Sequence, residues 1–338
     1  MTNNHFHTQT EASAETPPLS VRLPRVTDYD HGISTIDADY FRTGLAAIHL
    51  IVEAGKAALV DTGTSSSVAG LMKILHQKNI APADVAYVFL THIHLDHAGG
   101  AGEFMHRFPN AKLVVHPRGA RHMADPARLV ASAMEVYGEA EFKRVYGVIR
   151  PVEANRIVEA PDGFNLDFNG RPLLFLDTPG HARHHYCIFD KQSQSFFTGD
   201  TFGISYREFD VDGMEFVFPT TTPVQFDPIA AHASLERLMT YNPSYAFLTH
   251  YGRIGHLPRH VAEMHDLIDA HVSIARKLHD APNRHSALVE ELGELLLQRV
   301  IAHGCKLPEE EIRSLLNLDV GLNAQGLEYW LDHAGGSS

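Results

Sequence analysis

The sequence is poor in cysteine and in positive charge. Its 338 residues contain two cysteines, Cys187 and Cys305, too few for a disulfide framework, which favours a reducing compartment. Lysine and arginine number 28 against 41 aspartates and glutamates, a net charge of −13. Binding to nucleic acid or to an anionic membrane needs a basic footprint. Neither partner is therefore expected.

Long apolar segments are also missing. The sequence has no apolar run of about 18 residues that could span a bilayer, and its polar first twenty residues carry no apolar signal core. We therefore expect a cytoplasmic protein with a small-molecule substrate. A homodimer is one possible assembly. Residues 1–20 are interpreted as a mobile tail.

The apolar pattern changes character along the chain. Short apolar runs separated by turn residues predict strands up to about residue 250, and the runs at 45–52 and 57–60 predict an antiparallel hairpin. Residues 118–146 predict helices. After residue 255 only helical spacing remains, with four expected helices, the third opening at Pro308 and the last holding Trp330. The sequence thus predicts an α/β domain over residues 21–255 and an all-helical region over 256–338.

Histidine is abundant, with 24 residues, and three of them stand close together in one motif. The motif is Thr91-His92-Ile93-His94-Leu95-Asp96-His97, at the end of an apolar strand. In extended chain, His92 and His94 point the same way because side chains alternate. Asp96 and His97 can face a second ion if the chain then turns into a helix. Imidazole and carboxylate ligands suit zinc, iron or manganese.

Three later strand ends offer the further ligands that two ions would require. In each, a strand stops, a small residue follows and a ligand residue comes next. The segments are Asp177-Thr-Pro-Gly-His181, Phe197-Thr-Gly-Asp200 and Phe247-Leu-Thr-His250. A carboxylate such as that of Asp200 can bridge two cations because it offers two oxygens. Together the four segments predict a metal site built from several strand ends.

The series THxHxDHxGG, DTPGH, FTGD and a strand-end histidine resembles the metallo-β-lactamase-fold hydrolase superfamily over about residues 33–250. The resemblance implies an α/β fold, an αββα sandwich, with a two-metal site at one edge of the paired sheets. It also implies two divalent ions per chain, with zinc expected and iron or manganese as alternatives. The implied ligands are His92, His94 and His181 for one ion, Asp96, His97 and His250 for the other, and Asp200 between them. Asp61 would support the cluster from behind.

The resemblance implies hydrolysis of a small ester, thioester or lactone by a hydroxide that bridges the metals. Asp96 would orient the hydroxide and pass a proton to the leaving group. The helical tail is similar to that of the glyoxalase II enzymes. However, His250 is followed by Tyr251-Gly-Arg instead of the Glu-Tyr-Thr typical of those enzymes. Members with helices closing over the metals, the lactonases and thioesterase-like proteins, are more similar.

Several alternatives stay open at this point. Tyr206 and Arg183 are candidate substrate contacts. The phenylalanines that follow Asp200 form either an apolar substrate wall or ordinary core, and the helical tail either caps the pocket or mediates association. A mononuclear iron enzyme of the persulfide dioxygenase type would use His92, His94, His181 and Asp200. A non-catalytic metal-bound sensor would keep the fold and the ions.

Overall fold

The structure of the protein, a computed structural model, describes residues 23–221 and 224–335. The segment interpreted as a mobile tail, residues 1–20, lies outside the described residues. Two mixed β-sheets face each other, and helices cover their outer sides. This arrangement is the αββα sandwich that the resemblance implies.

The described residues form seven strands in the first sheet, and their order in the sheet follows the chain. They are β1 (Val26–Asp28), β2 (Ile33–Asp37), β3 (Ala47–Glu53), β4 (Lys56–Val60), β5 (Val85–Phe89), β6 (Lys112–Val115) and β7 (Ile157–Glu159). Strands β3 and β4 pair antiparallel across a turn at Ala54 and Gly55, so the predicted hairpin is confirmed. Strands β4 to β7 then run parallel to one another, which brings their carboxyl ends to one edge.

The second sheet contains six strands in the order β13-β12-β11-β10-β9-β8. They are β8 (Phe164–Phe168), β9 (Arg171–Asp177), β10 (Tyr186–Asp190), β11 (Ser195–Gly199), β12 (Tyr245–Leu248) and β13 (Gly252–Ile254). Strand β10 pairs antiparallel with both β9 and β11, and β11 is parallel to β12. Strands β9, β11 and β12 therefore end at the same edge of the sheet.

Strand β4 shows why the sequence of a central strand is apolar at successive positions. Its side chains alternate, so Ala58 and Val60 enter the core between the sheets. Ala57 and Leu59 enter the core beneath the helices on the other face. Both faces of the strand are buried, as in most parallel sheets.

Within the described ranges, seven α-helices accompany the two sheets. They are α1 (Ser67–Gln77), α2 (Leu95–Ala98), α3 (Ala101–Arg107), α4 (Pro117–Ala124), α5 (Ala127–Tyr137), α6 (Glu139–Tyr146) and α7 (Pro228–Met239). Helices α4 to α6 occupy the stretch for which the sequence predicts helices. Of the described helices, none is both long and apolar enough to cross a bilayer.

The region after residue 255 is helical throughout its described part, as predicted. It contains α8 (Leu257–Lys277), α9 (Arg284–His303) and α10 (Glu309–Trp330), followed by a short π-helical turn at Leu331–Gly335. The expectation of separate third and last helices is wrong, because both segments belong to α10. Buried Asp319 and Asn323 interrupt the apolar pattern within α10, and both side chains have hydrogen-bond partners.

Those two polar residues fasten α10 to the segment that follows β11. They stand four residues apart, so they share one face of the helix. Asp319 accepts a hydrogen bond from the Tyr206 hydroxyl at 2.8 Å. Asn323 accepts from the Thr221 N–H at 2.8 Å and donates to the Pro219 carbonyl at 3.0 Å. The helical region is thus attached to the sandwich by buried hydrogen bonds as well as by apolar packing.

Replacing Asp319 by Asn is expected to stabilise the protein at neutral pH. Burial raises the pKa of the Asp319 carboxyl from 3.8 to about 6, so the folded state binds its proton more tightly than the unfolded state. The stability that this proton provides is lost as the pH rises from about 4 through about 6. At pH 7.5 the neutral amide should gain roughly 3 kcal/mol, and near pH 4 almost nothing, as measured by denaturant unfolding of metal-free protein.

Tyr206→Phe provides the opposite comparison. This substitution removes the hydroxyl that donates to the buried Asp319 carboxylate. The free energy of unfolding should therefore fall by about 1–3 kcal/mol at pH 7.5. An equal gain by Asp319→Asn at both pH values would contradict the titration argument, because a pH-independent effect cannot come from this carboxyl group.

Candidate metal centre

Five strands deliver the candidate ligands to one edge of the sandwich. Asp61 directly follows β4, and His92, His94, Asp96 and His97 follow β5. His181, Asp200 and His250 come after β9, β11 and β12. The strands that carry these residues end at this edge in both sheets, so side chains from residue 61 to residue 250 meet there.

The glycines of two motifs permit the close packing behind the cluster. A Cβ atom on Gly100 would lie 2.8 Å from the carbonyl oxygens of Thr62 and Thr64. Gly199 has a φ of +48°, and a Cβ there would lie 2.6 Å from His185 Nε2 and Thr91 Oγ1. The second glycine of the Gly-Gly pair and the glycine before Asp200 are therefore required for steric reasons.

His92, His94 and His181 form the first group of donors. Nε2 of His92 lies 2.8 Å from Nδ1 of His94, and Nε2 of His181 lies 2.9 Å from the same atom. Burial lowers the pKa of all three imidazoles, and for His92 and His94 neighbouring histidines lower it further. Neutral imidazole is the form that binds metal ions.

Asp96, His97 and His250 form the second group. Nε2 of His250 lies 3.3 Å from Oδ2 of Asp96 and 3.3 Å from Nε2 of His97. Asp96 lies at the N-terminal turn of α2, and 23% of its side chain is exposed, whereas the His97 side chain is fully buried. Asp96 is therefore the member of this group that solvent or a substrate can reach.

Asp200 lies between the two groups. Its Oδ2 atom is 3.4 Å from Nε2 of His181, and its Oδ1 atom is 3.2 Å from Nε2 of His97. Oδ1 is buried and makes no hydrogen bond within the described residues. Each oxygen thus faces a different group, which is the geometry that a bridging ligand requires.

The electrostatics of the second group are opposite to those of the first. Burial lowers the pKa of His97, but the carboxylates of Asp200, Asp96 and Asp61 outweigh it and raise that pKa well above 6.5. Burial also lowers the pKa of His250, but the carboxylates of Asp200 and Asp96 outweigh this effect and raise the pKa to about 8. Burial would raise the pKa of the Asp200 carboxyl, but the charges of His97 and His250 hold it far below its usual range. The carboxylates of this group therefore need positive charge close by.

Asp61 supports the cluster through hydrogen bonds without belonging to either group of ligands. Its Oδ2 atom lies 2.8 Å from Nδ1 of His97, and it accepts hydrogen bonds from the hydroxyls of Thr91 and Thr249. The Thr91 N–H also donates to it at 2.8 Å. One carboxylate therefore fixes the ring of His97 and joins the ends of β4, β5 and β12, which leaves His97 Nε2 to face the centre.

His185 supports Asp200 in a similar way. Its Nε2 atom accepts the Asp200 N–H at 3.2 Å, and its Nδ1 atom lies 2.9 Å from the Thr178 hydroxyl. The two threonines beside Asp61 and this histidine are the supporting residues that motif reasoning leaves without a role. The signal for the threonines is the dipeptide Thr-His, which ends both the β5 and the β12 segments.

The two candidate substrate residues occupy different surroundings. The Tyr206 side chain is buried, its hydroxyl donates to Asp319, and the guanidinium of Arg42 lies 4.4 Å from its ring centre. Arg183 is exposed and lies in a groove beside the metal-ligand candidates. A role of either residue in binding substrate stays a prediction.

A small cavity borders His181 and Asp200. It has a volume of about 20 Å³, and its other walls include Phe226, Met264 and Ile268. The last two belong to α8, so the helical region covers the centre on this side. The remaining phenylalanines that follow Asp200 are core residues, namely Phe202, Phe209, Phe216 and Phe218.

The donor set fits metal ions. Among the described residues, three groups of side chains each bring three ligand atoms within 4.8 Å of one another. The middle group, His92, His97 and Asp200, shares His92 with the first and His97 with the third. Oδ1 of Asp200 is buried without a hydrogen-bond partner in the described part of the chain. Buried nitrogen and oxygen donors that converge in this way suit zinc, iron or manganese.

Comparisons with known proteins agree with this geometry. The family model described as the metallo-beta-lactamase superfamily matches residues 42–250. The metallo-beta-lactamase fold-containing protein ST1585 of Sulfurisphaera tokodaii is 26% identical over 214 residues, which are 62% of this chain and 74% of that protein. Its solved structure covers 84% of this chain and 99% of its own, with a TM-score of 0.56 and 22% identity.

Two relatives have names that state a reaction. A hydroxyacylglutathione hydrolase of Synechococcus is 28% identical over 144 residues, which are 42% of this chain and 45% of that protein. The human acyl-coenzyme A thioesterase MBLAC2 is 24% identical over 188 residues, 50% of this chain and 63% of that protein. In both cases the similarity covers only part of each protein.

Metal uptake by metal-free protein is expected to release protons near neutral pH. His97 and His250 have raised pKa values and therefore carry protons at pH 7, and a metal ion must displace them. Apparent affinity should increase as the pH rises towards about 8. Calorimetry in buffers of different protonation enthalpy measures the released protons.

His250→Gln should release fewer protons, whereas the exposed His285→Gln should behave like the parent protein. An affinity that does not change between pH 6 and pH 8 would contradict this electrostatic description of the second group.

Asp200→Ala is expected to lose metal from both groups because its two oxygens face both. Asp96→Ala should deplete only the second group, and Asp266→Ala, at an exposed position on α8, should deplete neither. Elemental mass spectrometry of the purified variants measures the ions per chain, and circular dichroism checks folding. Full metal content in both Asp200→Ala and Asp200→Asn would show that the ligand assignment is wrong.

Proposed function

The chain belongs to the metallo-beta-lactamase superfamily, and we propose that it is a dinuclear metal-dependent hydrolase of a small ester, thioester or lactone. The observation that carries the proposal is the position of Asp200, with one oxygen toward His181 and the other toward His97. Among the three bond types, the relatives that are named as a hydroxyacylglutathione hydrolase and an acyl-coenzyme A thioesterase favour thioesters.

Two resident metal ions would supply Lewis acidity for an acyl carbonyl and would lower the pKa of a water molecule toward neutrality. His92, His94 and His181 would hold one ion, and His97, His250 and Asp96 the other, with Asp200 shared. The neutral state of the first three histidines and the negative charge around the second group suit these tasks.

Asp96 is the residue that we assign to proton transfer. The charge of His97 and a hydrogen bond from His250 outweigh burial and lower its pKa, so its carboxylate is ionised at neutral pH. Its partial exposure lets it meet both a water and a leaving group. It would take a proton from the attacking water at a carboxylate oxygen and pass it to the sulfur or oxygen that leaves.

The supporting residues fix the geometry of these steps. Asp61 sets the orientation of the His97 ring, and Nδ1 of His250 lies 2.8 Å from the Leu45 carbonyl oxygen. These contacts orient each ring so that its Nε2 atom faces the centre. Preorganisation of this kind reduces the rearrangement that a reaction requires.

Metal content and a substrate panel test the proposal. We expect about two ions of zinc, manganese or iron per chain, loss of hydrolysis after chelation and recovery on metal addition. Esters, thioesters and lactones of comparable size should identify the bond that is cleaved. One iron per chain with oxygen consumption in place of hydrolysis would replace this proposal by the oxidoreductase alternative, and a protein that takes up no metal would overturn it.

Asp96→Asn is expected to lower kcat by about 10²–10⁴-fold, the usual contribution of a positioned acid–base group. The exposed His285→Gln variant should keep the parent kcat. Steady-state kinetics on the substrate found in the panel measures both variants. An unchanged kcat in metal-loaded Asp96→Asn would remove Asp96 from the mechanism.

A further inference from the structure

A groove lined by arginines runs along the surface beside the metal centre. Arg118 and Arg121 come from α4, and Arg183 comes from the segment that follows His181. His122 and His184 also line this groove, which has a volume of about 740 Å³. We call it the arginine groove. All three arginines are exposed, so their charge is available at the surface.

No carboxylate lies within ion-pair distance of these three arginines in the described part of the chain, whereas Arg237 pairs with Asp162 and Arg284 with Asp332. Arg118 donates to the Arg183 carbonyl at 2.9 Å, and Arg121 donates to His122 at 3.2 Å. The chain has 41 acidic residues against 28 basic ones, so three arginines in one groove give a local excess of positive charge on an acidic protein.

The groove does contain one carboxylate, that of Asp227. It is engaged at the start of α7, where it accepts the Ala230 N–H at 3.0 Å. Three guanidinium groups thus outnumber one carboxylate, and the groove keeps an excess of positive charge.

The groove reaches the metal centre. Pro179 borders both the groove and the cavity beside His181 and Asp200. The ring of His184 is centred 5.5 Å from that of His94, and its Nδ1 atom is buried without a partner in the described residues. A molecule lying in the groove would therefore have one end next to the candidate ligands.

We propose that the arginine groove binds the anionic part of the substrate, a phosphate- or carboxylate-bearing carrier whose acyl bond lies at the metal centre. The inference rests on the proposed function for the acyl bond, but the groove itself is argued from its unpaired arginines. Guanidinium groups bind phosphate and carboxylate through paired N–H donors. Arg183 then acts in binding together with Arg118 and Arg121, which the motifs do not identify.

Binding of carrier analogues to the metal-loaded protein tests the groove without turnover. The probes are the S-methyl thioethers of coenzyme A, which bears phosphates, of glutathione, which bears carboxylates, and of N-acetylcysteamine, which is uncharged. Methylation keeps the sulfur from binding metal as a thiolate. At least one anionic probe should bind about tenfold or more tightly than the uncharged one, with weaker binding at high salt.

In the double variant Arg121→Gln/Arg183→Gln, the ratio of affinities for the anionic and uncharged probes should fall about tenfold. Lys306→Gln, which removes one positive charge between α9 and α10, should retain it. Preference for coenzyme A would identify phosphate as the recognised group, and preference for glutathione would identify carboxylate. Equal binding of all three probes, or a preference that survives in the double variant, would overturn the inference.

Hydrolysis of the three matching thioesters separates this inference from the proposed function. If the anionic probes bind through the arginines but no ester, thioester or lactone is cleaved, the hydrolase proposal fails and the groove stands. If all three thioesters are cleaved with equal kcat/KM, the hydrolase proposal stands and the groove has no role in selecting substrate. A kcat/KM advantage that depends on the arginines supports both.

Discussion

The burial of carboxylates among imidazoles at one sheet edge is the constraint on which the rest of the structure depends. Asp61 and Asp200 are almost completely withdrawn from water, and a buried charge is tolerated only when it is paired and hydrogen-bonded. Asp61 meets this requirement with two threonines and His97. Asp200 is flanked by the rings of His97 and His181, and its Oδ1 atom has no hydrogen-bond partner among the described residues. Motif glycines and parallel strand ends make this packing possible. The fold at this edge is therefore organised around charge compensation.

Much of this arrangement could be predicted because its signals are local. A strand that stops before a ligand residue is visible in the sequence, and alternation along β5 indicates that His92 and His94 share a side. The hairpin of β3 and β4 follows from two apolar runs and a tight turn. The segments that hold Asp200 and His250 needed the resemblance to a family, since each is weak evidence alone.

What could not be predicted depends on contacts between distant segments. The burial of Asp319 and Asn323 on α10 depends on partners more than a hundred residues away, at Tyr206 and Thr221. The arginine groove combines α4 with the segment after His181, and no spacing in the sequence relates the two. Very short strands such as β1 and β13 carry too few residues for a period to be recognised. Tertiary packing decides these features.

The delivery of ligands by five different strand ends has a consequence for folding. The run from His92 to His97 keeps four donors within six residues even in an unfolded chain, but the other donors arrive only when both sheets have docked. The complete centre is therefore a property of the native state, and ions held there would bind that state in preference to the unfolded chain. Free metal concentration then acts on stability by mass action. With ions bound in this way, the folded state would be less stable wherever free metal is scarce.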